Sequence, residues 1–373
     1  MTFFPVKYAH DSRIVLTLDA GGTNMVFTAI QGNRIIRSPV TVPTPALNLE
    51  RCLQTIIQGF EMVADQIGKM DAISFAFPGP ADYPNGIIGD CPNLPCFRGG
   101  VALGPLLEHR FHVPVFINND GDLFTYGEAK AGFLPKINAL LKKAGREKQY
   151  HHLLGITLGT GLGAGLFSNG DLHQGDNSLA AELWMMPHPG KEALFIEESV
   201  SIRGIRRTYA DLTGQPYNQV PDPKVIYKIA KQGLKEDSNV AKACFRQIGQ
   251  RIGYLLRCAN LLIDGLIVIG GGLSGSGEFF MPALIQEMNC PMQDLEGRIL
   301  KPPLLAFDLE DELSCQRFLE GNYQTLRVIG TDLRMKVNTL KATGVGLSVL
   351  GTSQAIAIGA YIYALHKLDR CPS

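Results

Sequence analysis

Residues 14–30, IVLTLDAGGTNMVFTAI, decide how the rest of the chain is read. An apolar and β-branched run from Ile14 to Leu18 leads to Asp19, the pair Gly21-Gly22 follows, and Thr23 opens a second apolar run. This spacing predicts a buried strand over Ile14–Leu18 and a hairpin partner over Met25–Ile30. Gly21 and Gly22 permit a tight turn with φ > 0 and leave no Cβ to block a ligand. Backbone N–H groups and the Thr23 hydroxyl can face phosphate oxygens there, while Asp19 can hold a hydrated Mg²⁺ near them. An ordinary hairpin with a glycine turn would use the same residues.

The surrounding chain bounds the choice. With 373 residues it exceeds one small core, and two or three domains are expected. Apolar residues at 45% and charged residues at 19% are ordinary for a soluble globular enzyme. Glycine is abundant, 41 of 373 residues or about 11% against an average near ~7%, and it clusters after apolar runs, which favours ligand-binding turns over disorder. Lysine plus arginine equals aspartate plus glutamate at 35 each, so no nucleic-acid footprint or polybasic membrane contact is expected. No apolar run reaches the length of a membrane span, and Met1–Arg13 lacks the apolar region of a signal peptide; a cytoplasmic location is expected. The eight cysteines contain no Cys-x-x-Cys and read as free thiols rather than disulfides.

Working outward, a third strand is expected over Arg34–Val42, ended by Pro43 and Pro45. A helix over Asn48–Met70 has Asn48 as its N-cap, and a strand over Ala72–Phe77 runs into Pro78-Gly79-Pro80. A helix over Val101–Phe111 and a strand over Val113–Asn118 end at Asn119-Asp120. Strand, hairpin, helix, strand is the pattern of an α/β domain with a mixed sheet. A carboxylate at the carboxyl end of such a strand sits where ligands bind and can accept the proton of a hydroxyl. Asp120 is the candidate, and Asp122, its nearest rival, suits capping of the next helix. Residues 134–149 are polar and lysine-rich, a solvated helix or a surface excursion.

Residues 152–167, HLLGITLGTGLGAGLF, then repeat the opening device, with glycines at 159, 161, 163 and 165. The Lys and Ser/Thr of a Walker A loop are missing, and no helical pattern follows as a dinucleotide fingerprint requires. A long helix over Asn239–Asp264 and a strand over Leu266–Ile269 lead into Gly270-Gly271-Gly272. Gly270, Gly272 and Gly275 satisfy G-x-G-x-x-G, but Met288–Gln293 does not read as a second parallel strand.

Together these stretches resemble the sugar kinase/hexokinase/actin-like ATPases, in the form of the repressor–ORF–kinase (ROK) sugar kinases of glucokinase type. Residues 19–24 are similar to the family's D-x-G-G-T-K, with Asn24 where Lys is common. Residues 157–165 resemble T-L-G-T-G-I-G-G-G, and residues 113–132 resemble P-V-x-V-x-N-D-A-N followed by x-G-E-x-x-x-G. The resemblance implies an α/β fold of duplicated ribonuclease H-like (actin-like ATPase) domains with a cleft between them. It places the first domain at 1–120, joined by a C-terminal helix 353–368, and the second at 121–352. The expected departure is an insertion around 290–341, where the chain is longer than the family pattern.

What the resemblance implies about chemistry is specific. ATP with Mg²⁺ would be held by Asp19, Gly21, Gly22 and Thr23, by Gly159, Thr160 and Gly161, and on the adenosine side by Gly271 and Gly272. The sugar would meet Gly79, Asn93, Asn119, Glu182 and Glu197, with Glu198 a one-residue alternative to Glu197. Asp120 would be the catalytic base. The expected activity is ATP-dependent phosphorylation of a hexose or N-acetylated hexose hydroxyl by a homodimer or higher homo-oligomer. The alternative is a non-catalytic sugar-sensing protein; family regulators carry a helix-turn-helix before the first turn, and Met1–Arg13 is too short for one.

The largest departure concerns zinc. Residues 180–185, AAELWM, stand where the family has A-G-E-x-G-H, so Met185 replaces the histidine. No cysteine lies between Cys96 and Cys244, where many members place a zinc loop, and no structural zinc is expected. His188 is a candidate substitute, although a lone loop histidine is more often structural. Packing of Trp184, Met185, Met186 and Phe195 is expected to order Glu182 and Glu197 instead.

Overall fold

The computed structural model describes residues 7–21, 23–79, 81–89 and 94–370, except the side chain of Glu192. The chain folds into two compact units. The first comprises Met1–Lys136, Ala164–Ala181 and Ser348–Ser373, and the second comprises Ile137–Gly163 and Glu182–Leu347.

In the first unit the opening stretch forms β1 (Val15–Ala20) and β2 (Asn24–Gln31), antiparallel from Val15 opposite Ile30 to Ala20 opposite Met25. The strand expected over Arg34–Val42 is two pieces, β3 (Arg34–Ile35) and β4 (Val40–Pro43), both paired with β2. Pro39, just before β4, has no N–H to donate to a continuous ladder. Helix α1 (Leu49–Ala64) starts where Asn48 accepts a bond from the Arg51 N–H at 2.9 Å. It stops short of Met70, and the chain reverses through Gly68 at φ +79°. Strand β5 (Ala72–Ala76) adds to β1 in parallel. Three short strands follow, β6 (Ala81–Asp82), β7 (Ile87–Ile88) and β8 (Val101–Ala102). The last of them delays α2 (Leu103–Phe111) by two residues relative to the expected start. Strand β9 (Val115–Asn118) completes the order β3-β2-β1-β5-β9.

Helical spacing puts Cys52, Ile56, Phe60 and Val63 on one buried face of α1. Phe60 meets Phe27 edge-on at 5.1 Å, and a Cβ on Gly59 would lie 2.3 Å from the Phe27 ring. Helices α3 (Asp120–Lys130) and α11 (Thr352–Arg370) cross at glycines. A Cβ on Gly127 or Gly359 would come within 2.0 Å of the Ala355 or Leu123 carbonyl oxygen. This explains the small-residue character of residues 354–360. A domain boundary at Asp120 would cut α3 away from β9 and α11, with which it shares a unit.

Helix α4 (Phe133–Lys143) carries the chain between the units and is amphipathic rather than fully solvated, because Phe133, Leu134, Ile137 and Leu141 are buried. Strand β10 (His152–Leu158) turns at Gly159–Gly161 into β11 (Leu162–Ser168). Strand β12 (Asp171–Leu172) pairs with β11. In the second unit β13 (Pro187–His188) and β14 (Lys191–Phe195) form a small ribbon before α5 (Glu197–Val200), α6 (Ile202–Thr213) and α7 (Pro223–Gln232). Helix α8 (Lys235–Ile263) begins four residues before the expected Asn239 and feeds β15 (Leu266–Gly270). After α9 (Gly277–Met288) the chain forms β16 (Met292–Gln293) and β17 (Ile299–Leu300), a separate hairpin and no part of the main sheet. That removes the dinucleotide-fold reading of Gly270, Gly272 and Gly275. Strand β18 (Leu305–Asp308), α10 (Glu312–Glu320), the hairpin β19 (Tyr323–Arg327) with β20 (Arg334–Asn338), and β21 (Ala342–Leu347) follow. Strands β10, β15, β21 and β18 are parallel neighbours in that order, so part of the expected insertion belongs to the main sheet. Both units repeat one plan: a strand, a glycine turn, then strands added in parallel.

Candidate active site

In the first unit, β1 and α3 bring two carboxylates together. Asp19 is the penultimate residue of β1, beside the first glycine turn, which the Gly21 N–H closes on the Asn24 carbonyl at 3.0 Å. Gly21 is not in the left-handed region; its role is space, since a Cβ would lie 2.7 Å from the Asn24 oxygen. Gly22 and Asn93 lie outside the described residues. Asp120 is the first residue of α3, and Asn119 is the N-cap that accepts the Gly121 N–H at 2.8 Å. Asp122, expected in that capping role, is instead buried within α3.

The Asp120 Oδ1 shares the same Gly121 N–H at 2.8 Å. Asp120 is exposed as a residue, although protein atoms surround its carboxyl. That enclosure pushes its pKa above the ordinary carboxylate value, the Gly121 bond pulls it back, and the Asp19 charge pushes it up again. Burial also raises the Asp19 carboxyl. The other end of the Asn119 amide donates to the Tyr83 hydroxyl at 3.4 Å, which donates to the Phe77 carbonyl at 3.0 Å. Gly79 makes this possible: a Cβ there would sit 2.7 Å from the Tyr83 oxygen. Gln174 donates to Asn118 at 2.9 Å, bracing the end of β9. Nothing in the sequence marked Tyr83 or Gln174.

In the second unit the turn after β10 closes through the Gly159 N–H and the Gly161 carbonyl at 3.0 Å. A Cβ on Gly159 or Gly272 would face open space, as a ligand cradle requires, and Thr160 is exposed at the tip. Gly271 serves a different end. It takes φ +88°, and a Cβ would lie 2.2 Å from the Leu158 carbonyl, so the third glycine turn presses against the end of β10.

Glu182 and Glu197, the two carboxylates expected on the sugar side, differ in their partners. Glu182 accepts a bond from the Trp184 indole N–H. The Trp184 ring meets Phe195 edge-on at 5.8 Å, so these two do pack together. Met185 and Met186 do not share in this, being 59% and 36% exposed; the backbone of Leu183–Met185 is a single 3₁₀ turn that aims them outward. Glu197 opens α5. Its Oε2 accepts the Leu162 N–H at 2.8 Å and its Oε1 accepts from Arg203 at 2.9 Å. Glu198 also pairs with Arg203, at 2.7 Å, so the guanidinium grips both candidates. His188 lies on β13 opposite Lys191, and burial and the Arg251 charge hold its imidazole below the usual value. Among the described residues no group of three or more His, Cys, Asp and Glu is arranged to hold a metal. The six described cysteines, such as Cys52 and Cys244, form no disulfide with one another, and no described helix is long and apolar enough to cross a membrane.

Comparison with known proteins places this geometry. A crystal structure of a glucokinase from Parabacteroides distasonis superimposes with a TM-score of 0.88 at 46% identity, covering 96% of this chain and 99% of that one. A glucokinase of Thermotoga maritima is 26% identical over 303 residues, 74% of this chain and 86% of its own length. An N-acetylgalactosamine kinase of Shewanella sp. (strain ANA-3) is 27% identical over 279 residues, 69% of this chain and 81% of its own length. The fold is the actin-like ATPase fold that the paired glycine turns led us to expect. The model of the ROK family matches residues 15–300, a span holding all three glycine turns and every carboxylate described above. On that match, the chain belongs to the ROK family.

Proposed function

We propose that this protein is an ATP-dependent kinase that phosphorylates a hydroxyl of a hexose or N-acetylated hexose, with Asp120 as the general base. The observation that carries this reading is the placement of Asp120 at the start of α3, held by the Gly121 N–H at 2.8 Å and close enough to Asp19 to feel its charge. An attacking hydroxyl gives its proton to Asp120 while its oxygen bonds to the γ-phosphorus. The bond from that phosphorus to the bridging oxygen breaks, and ADP leaves. Asn119, Glu182 and Glu197, together with Gly79 and Asn93, are the groups we assign to the sugar, because its hydroxyls need donors and acceptors together.

The glycine turns suit phosphate, since Gly159 and Gly272 leave open space beside backbone N–H groups. Asp19 fits a nucleotide-bound Mg²⁺: its carboxylate stands beside the first glycine turn, and among the described residues no cation offsets the burial that raises its pKa. Such an ion neutralises charge on the β- and γ-phosphates. The reading includes a cytoplasmic location, supported by free thiols, and a homo-oligomer, for which the β19–β20 hairpin is the candidate contact.

The test is a panel of sugars (glucose, N-acetylglucosamine and N-acetylgalactosamine among them) incubated with ATP while ADP release is followed. Release well above the sugar-free rate, with phosphate appearing on the sugar, is expected for at least one. Sugars that bind without any ADP release would favour the non-catalytic sensor.

A further inference from the structure

One guanidinium in the second unit joins a carboxylate assigned to the sugar with the turn assigned to phosphate. Arg203 lies six residues beyond Glu197 and reaches back to it because Ser201 is extended (φ −89°, ψ −178°) and parts α5 from α6. The Arg203 Nη2 donates to Glu197 Oε1 at 2.9 Å and to Glu198 Oε1 at 2.7 Å, and Nε adds a bond to Glu198 at 3.0 Å. Its Nη1 donates to the Thr160 carbonyl, at the tip of the second glycine turn, at 3.3 Å. The same turn is tied twice more to this corner. Glu197 Oε2 accepts the Leu162 N–H at 2.8 Å, and the Ile202 N–H donates to the Gly159 carbonyl at 2.9 Å. A Cβ on Gly161 would lie 2.5 Å from Glu197 Oε2, so turn and carboxylate are built as one piece.

We propose that Arg203 is a positioning residue that couples sugar binding at Glu197 to nucleotide binding at the Gly159–Gly161 turn; the proposal rests on the assignment of Glu197 to the sugar. Two physical reasons support it. Glu197 and Glu198 would otherwise set two negative charges beside a turn meant for phosphate, and one cation bonded to both offsets that repulsion. In addition, a planar guanidinium bridges three acceptors in fixed geometry, which a lysine ammonium cannot reproduce. A sugar hydroxyl that orders Glu197 therefore orders Thr160 through Arg203. By linkage, nucleotide must tighten sugar by the same factor.

Calorimetry of a non-hydrolysable ATP analogue with and without D-glucose (or the panel's fastest-reacting hexose) tests this, beside steady-state kinetics. In the wild type the sugar should tighten the analogue roughly 5-fold or more. Arg203→Met should bring that factor to within twofold of unity and raise the KM for ATP about tenfold, with the melting temperature monitoring the fold. Arg203→Lys should keep nucleotide affinity within about threefold of wild type yet still lose the coupling. Arg203→Met should add nothing to the loss of coupling already caused by Glu197→Gln. Full coupling in either folded Arg203 variant overturns the proposal alone. Unchanged sugar affinity in Glu197→Gln overturns the sugar assignment of Glu197, and the proposal with it.

Discussion

At Asp120 two influences raise the carboxyl pKa, enclosure and the Asp19 charge, and two lower it, the Gly121 N–H and the N–H of Asp120 itself. The net direction is upward, and a general base works only when ionised. The rate should therefore fall on acidification through a pKa above that of an exposed aspartate. A pH profile of kcat/KM whose acid limb lies at or below about 4, the ordinary value, would contradict this. The glycines separate by the same kind of argument. Gly159→Val places a side chain in open space where phosphate is assigned, so ATP affinity should drop at least tenfold with the melting temperature nearly unchanged. Gly271→Val combines φ +88° with a clash on Leu158, so it should destabilise the fold itself by roughly 1–3 kcal/mol or more, read as a lower melting temperature. Sequence letters disclosed both turns because glycine clusters after apolar runs have few other uses. They could not distinguish Gly159 from Gly271, since that depends on which backbone lies opposite. Arg203 and Tyr83 were invisible for a related reason: each reaches its partner through a chain reversal that leaves no periodic trace.

Elements were legible where burial requires a continuous apolar run or one apolar helix face. β1, β2, α1 and β5 follow directly from apolar spacing, and the cap at Asn48 was readable from residue type. Ends were less so, because Gly68, Pro39 and the short β8 act through local backbone geometry. The segment at 182–195, where apolar packing was expected in place of a zinc loop, shows the limit most clearly. Trp184 and Phe195 do meet at 5.8 Å and the indole N–H holds Glu182, whereas Met185 and Met186 face outward. Residue type alone cannot tell which apolar side chains of a 3₁₀ turn point inward. Trp184→Ala should then weaken sugar binding about tenfold by releasing Glu182 and losing an aromatic pair. Met185→Ala should leave it within twofold. Chelator should leave wild-type sugar affinity unchanged, whereas one tightly held zinc per chain by elemental analysis would overturn this account of the loop.

For the whole molecule, the repeated plan of strand and glycine turn was readable because each copy retains its own residues. The contents of residues 290–341 were not, because nothing earlier in the chain serves as a template for them. Within that region the β19–β20 hairpin is a two-stranded ribbon exposing Leu326, Ile329, Leu333 and Met335. Such ribbons are marginal in water unless covered. Its Arg327, Arg334 and Lys336 are complementary in charge to the exposed Glu310, Asp311, Glu312 and Glu320 elsewhere on the chain, which favours a second copy as the cover. Light scattering should show a dimer or larger assembly that Leu326→Glu with Met335→Glu dissociates; a wild-type monomer would sink the idea. The central claim is phosphoryl transfer to a sugar with Asp120 as base, and Asp120→Asn tests it most directly, because the amide keeps the shape but cannot take a proton. With sugar binding confirmed by calorimetry, sugar-dependent ADP release by this variant should fall at least a hundredfold, and release within a few-fold of wild type would contradict the account.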